Sequence, residues 1–206
     1  MKTKFILFAV ATSVSIFLFS CKKETATGLV LQSHDDNRMM DSMHVMMGQM
    51  NMMNMTKDPE IDFAKMMILH HQGAINMSQA EISAGTNDSL KTFAQKVINK
   101  QRAEIIQLQD ILSGLTVDNM DMEYNMEQMA NMEKSGRTAD VQLITGDIDN
   151  DYATLMLIHH QSAIDDASGY LHHGNNAQLK TIATTIVSDQ TIEIQELANW
   201  LKANKR

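Results

Sequence analysis

Cysteine is almost missing from this chain. Cys21 stands alone among 206 residues, which excludes an intramolecular disulfide framework and a thiolate metal site within one chain. Proline occurs once, glycine nine times, and aromatic residues make up 5% of the sequence. With few helix breakers, and with apolar residues at helical rather than alternating spacing, the fold class is all-α. Positive charge is also scarce: 17 Lys and Arg face 25 Asp and Glu, a net charge of −8. A surface of that sign argues against a nucleic-acid partner and suits cations. What is in excess is methionine, with 19 residues, several times ordinary usage.

Residues 1–20 read as an export signal. Lys2 and Lys4 precede the apolar run Phe5 to Phe19, which is too short to span a bilayer. The junction Leu18-Phe19-Ser20-Cys21 resembles a bacterial lipoprotein lipobox. That resemblance implies cleavage before Cys21, lipid on Cys21, and a protein tethered to membrane in the bacterial cell envelope, facing the periplasm or at the surface. The alternative is a plain secretory signal with an incidental cysteine. Residues 21–36 are polar and form a tether. Residues 37–56 are a Met-rich helix in which Met39, Met43, Met46, Met50 and Met53 step by four and three along one face. Methionine is a flexible core filler. Val45 is nevertheless the segment's only aliphatic residue, and a helix built only for burial would use Leu and Ile, which favours a metal-related role.

Residues 57–206 hold a duplication. Met67-Ile68-Leu69-His70-His71-Gln72 recurs as Met156-Leu157-Ile158-His159-His160-Gln161, and segments 62–112 and 151–201 align without a gap at 19 identities in 51 positions. That is far above chance and marks an internal repeat. Each copy predicts a long helix, a turn (Gly85 to Asp88; Gly174 to Asn176) and a second helix. Asp58-Pro59 gives a strong first start. Residues 118–134 predict another methionine-bearing helix, with Met122, Met126, Met129 and Met132 at helical spacing, and 135–147 a polar link. The paired histidines flank an apolar face, with Asp62, Lys65 and Gln72 on the outward side. The second helices are apolar inward except for Gln101 and Glu104, and Gln190 and Glu193. Counting residues from each turn puts both histidines level with the Gln and Glu of the antiparallel partner. Two such hairpins face to face make a four-helix bundle with a polar layer at mid-height.

A buried carboxylate needs a cation or donors. Either His and Gln satisfy Glu104 and Glu193 in a structural network, or the layer holds a metal, with Met67 and Met156 as thioether ligands and Asp166, which replaces Met77, as an added oxygen in copy two. The methionine excess favours metal, and thioethers with imidazoles suit copper, Cu(I) above Cu(II). His172 and His173, beside Gly174, are expected to be exposed at a helix end.

The pattern Asp-Phe-x-x-x-Met-x-x-His-His-Gln-x-Ala-Ile, followed by Leu-Lys-x-x-Ala and Gln-x-x-Glu-Ile, resembles the domain-of-unknown-function 305 family of exported proteins. The resemblance implies a ferritin-like four-helix bundle from two duplicated hairpins, each preceded by a Met-rich helix, and periplasmic copper binding. His70, His71, His159, His160, Met67 and Met156 match its motif. The Met-rich segments, with Met40, Met43 and Met47, match accessory copper sites. Three readings follow. The first is an envelope-tethered, non-enzymatic protein that sequesters copper or passes it to a copper-handling partner. The second is a metal-free helical interaction module whose His/Gln/Glu layer sets register. The third is a di-metal oxidase, which needs about four carboxylates and Glu-x-x-His steps that these helices do not supply.

Overall fold

The computed structural model describes residues 31–205. The export signal, Cys21 and the tether as far as residue 30 lie outside the described residues. Six helices follow a short 3-10 turn at His34–Asp36: α1 (Arg38–Asn51), α2 (Pro59–Ala84), α3 (Asp88–Ser113), α4 (Met122–Asp140), α5 (Ile148–His173) and α6 (Ala177–Ala203). Among the described residues there is no strand. The protein is an all-α helical bundle.

Helix starts are written in the chain. Asn37, Asp58, Asn87, Asp121, Asp147 and Asn176 each accept from an amide of the first turn, satisfying donors that a helix leaves orphaned. The methionine helices fall differently from the expected bounds. α1 stops at Asn51, and α4 runs from Met122 to Asp140 because Asp121 caps it and because Ser135 and Ala139 are buried and extend it through the expected link.

α2 and α5 pack on each other at the centre. Each carries its hairpin partner, α3 or α6, on one side and its leading helix, α1 or α4, on the other. The central position corrects one expectation. Asp62 is fully buried, because its carboxylate accepts from the Thr56 amide and hydroxyl at 2.9 and 2.8 Å and from the Lys57 amide at 2.7 Å. Asp151 does the same for Thr145 and Gly146. The repeats also clamp each other's turns. Glu60 of α2 accepts from the amides of Asn175 and Asn176, and Asp149 of α5 accepts from those of Thr86 and Asn87. The level of each hairpin is thus fixed by the first turn of the other.

Candidate functional site

Two neighbourhoods collect the residues singled out by sequence. The first is the mid-height layer. His70, His71, His159 and His160 are all fully buried. His71 Nε2 lies 2.7 Å from Glu104 Oε2, and His160 Nε2 lies 3.1 Å from Glu193 Oε2. Helix-to-helix register therefore brings each imidazole to the carboxylate of its own hairpin. Each is a close contact between a fully buried imidazole and an almost fully buried carboxylate. Burial alone would raise Glu193, but His160 and Lys100, whose Nζ is 3.7 Å away, hold it below its ordinary value.

The inner two histidines meet each other across the bundle. The His70 and His159 rings are 3.7 Å apart between centroids. His70 Nε2 is 2.7 Å from Ser162 Oγ, and His159 Nε2 is 2.9 Å from the His70 carbonyl oxygen. Desolvation, with the neighbouring imidazoles, pushes both well below the ordinary histidine value, so both are neutral at physiological pH. All four Nδ1 atoms lack a hydrogen-bond partner among the described residues. Met67 and Met156 are fully buried nearby in the core. Among the described residues no three His, Cys, Asp or Glu side chains converge as a metal cluster.

The second neighbourhood is a groove of about 930 Å³ between α1 and α4, lined by Met47, Met50, Met53, Met55, Met126, Met129 and Met132 with His44. His44 Nε2 contacts Asp140 Oδ1 at 3.1 Å across its rim. Met126 and Met129 are 67% and 59% exposed, an unusual setting for large apolar side chains in a stripe. Met40 and Met43 are instead 0% and 1% exposed and packed into the core. Of the three α1 methionines that the family resemblance suggested, only Met47 lines the groove. The stripe on α4 was visible as spacing. Its apposition to α1 was not, because nothing local in either helix encodes which neighbour it meets.

His173 also departs from expectation. Its Nδ1 lies 2.8 Å from Asp121 Oδ2 and its Nε2 lies 3.3 Å from Glu127 Oε2. These partners raise it above the ordinary histidine value, the hydrogen bond to Asp121 foremost. His172 is exposed.

A duplicated helical bundle with a buried histidine layer and a methionine-lined groove defines the class of the protein. The chain belongs to the family described as domain of unknown function (DUF305), whose profile matches residues 16–112 and again 114–201, one match to each repeat. No curated protein sequence matches it. Among solved structures it is similar to CopM in the Cu(I)-bound form, at 20% identity over 71% of this chain and 98% of that chain, with a TM-score of 0.54. It is likewise similar to CopM in the Cu(II)-bound form, at 20% identity over 70% and 96% with a TM-score of 0.51. CopM in the Ag-bound form obtained by soaking gives 21% identity over 71% and 97% with a TM-score of 0.54. At this identity the likeness establishes the fold.

Proposed function

We propose that the protein is a non-enzymatic copper-binding protein of the bacterial envelope, tethered by lipid on Cys21, which sequesters Cu(I) or passes it to a partner protein. The observation that carries this reading is the groove: seven thioethers and one imidazole converge there from α1, the loop after it, and α4. Thioether sulfur is a soft donor that favours Cu(I), and imidazole accepts either oxidation state. Calcium and magnesium would require oxygen donors. The solved copper and silver forms of CopM, which shares the fold, support the same reading. For the tether, the support is the sequence around Cys21. No helix of the described residues is long and apolar enough to cross a membrane.

The histidine layer has a second use in this reading. The Glu104 and Glu193 carboxylates already face imidazoles, and both inner Nε2 atoms are engaged, which supports a role in fixing register between the hairpins. The test is a Cu(I) titration of the protein from Lys22 onward against a competing chelator. Changing Met47, Met126 and Met129 to Leu should weaken binding by at least about tenfold, or 1.4 kcal/mol. Unchanged affinity in that variant would refute the groove. If changing His70, His71, His159 and His160 to Ala abolishes binding in a still-helical protein while the Leu set does not, the metal belongs in the layer.

A further inference from the structure

The leading helices sit on their hairpins in the same antiparallel manner, so the two repeats can be compared contact by contact. In the first, Met46 of α1 lies over Gly73 of α2, where an added Cβ would come within 2.6 Å of the Met46 sulfur. Met39 and Met77 are fully buried on the same side. In the second repeat the equivalent residues are Ser135 for Met46, Ser162 for Gly73, Gln128 for Met39 and Asp166 for Met77. All four are buried. Apolar positions have become polar together, along the contact between α4 and α5.

These groups do not satisfy one another. Both polar atoms of Gln128, the Ser135 hydroxyl and Asp166 Oδ1 have no hydrogen-bond partner among the described residues. An atom of this kind is costly when left unbonded, so the seam calls for water at these groups. The seam is also open to the surface. Ser135, Ser162, Gln161 and Asp165 line a crevice of about 140 Å³ together with apolar Leu157 and Ile158, which is room for several waters. Lys134 Nζ and Asp165 Oδ2, 2.6 Å apart, bridge α4 and α5 beside it. At the inner end, Ser162 Oγ meets His70 Nε2 at 2.7 Å. Ser162 thus joins the crevice to an imidazole that is itself fully buried.

We infer that the α4/α5 seam is a hydrated port, built only in the second repeat, through which water and protons reach His70. In the first repeat Met46 over Gly73 plugs the same place, and His159 Nε2 turns instead to the His70 carbonyl. The port is independent of where copper is held.

The experiment is deuterium exchange at the imidazole C2 position, read per histidine by mass spectrometry on the alkaline plateau in the metal-free protein. His70 should exchange faster than His159 by about tenfold or more, the contrast between an open and a plugged path. The double variant Ser135→Met with Ser162→Gly, which copies the first repeat, should bring His70 down to the His159 rate while leaving exposed His172 unchanged. Equal rates for His70 and His159 in the unaltered protein overturn the port, and so does a plugged but folded variant in which His70 still exchanges fast. If the double variant does not fold, the wild-type ratio and Ser135→Leu decide the matter by the same criteria.

Discussion

Lys57 shows how much one backbone angle reveals. It adopts φ 67°, and its counterpart in the second repeat is Gly146 at φ 75°. The left-handed region costs a residue with a Cβ about 1–2 kcal/mol and glycine almost nothing. The position tolerates lysine because the turn is held by Asp62, which bonds the Lys57 amide. Lys57→Gly should therefore stabilise the protein by about 0.5–1 kcal/mol once the looser unfolded chain is discounted, measured by urea denaturation; a loss of stability would show that the turn is not strained. Charge placement at single residues follows the same logic. Glu104→Ala leaves the buried His71 without its carboxylate and should cost about 1–3 kcal/mol. Arg137→Met, which removes an exposed contact to Glu133, should cost less than about 1 kcal/mol. Equal losses in the two variants would contradict the layer's role in fixing register.

Between helices, size at one contact decides how close two elements come. Gly73 sits in the middle of α2, where alanine would normally help a helix by about 1 kcal/mol. Here Met46 occupies the space of a Cβ, with its own Cβ as near as 3.1 Å. Gly73→Ser should destabilise by about 1–3 kcal/mol through overpacking, and Met46→Ser, the pairing the second repeat uses, should recover part of that loss. A double-mutant cycle with no coupling would show that α1 yields freely. Across the groove, Met126→Leu with Met129→Leu should leave stability within about 0.5 kcal/mol because both are surface positions, while Cu(I) affinity falls. Loss of affinity accompanied by unfolding would instead assign the α4 stripe to packing.

For the whole molecule, buried carboxyls set the dependence on pH. Burial raises Glu81 and Asp166 to about 8 from ordinary values of 4.5 and 3.8, with nearby Asp149 adding to the first. Their folded values exceed their unfolded ones, so the stability they contribute is complete below those ordinary values and is lost as pH rises through about 8. His173, raised by Asp121, shifts the balance in the same direction. His70 and His159 are depressed, so they cost stability only as pH falls below the ordinary histidine value. Urea midpoints should therefore fall between pH 6.5 and pH 9, and the combination of Glu81→Gln with Asp166→Asn should flatten that limb. A midpoint that rises over this interval contradicts the assignment of neutral buried carboxyls.

The chain alone determined the helices, the duplication and the height of the histidine layer. Each rests on local rules: Asn and Asp caps, apolar periodicity, and a fixed rise per residue that brings His71 to Glu104 and His160 to Glu193 once the turns are placed. The tertiary structure decided which sides those helices bury. α2 lies at the centre, so Asp62 is enclosed although its side of the helix reads as polar. α1 rests on both α2 and α5, whereas α4 packs mainly on α5, so similar methionine stripes end up buried at Met40 and Met43 and open at Met126 and Met129. Periodicity specifies a face, but which neighbour covers that face depends on contacts between residues far apart in the chain, and no local pattern carries them.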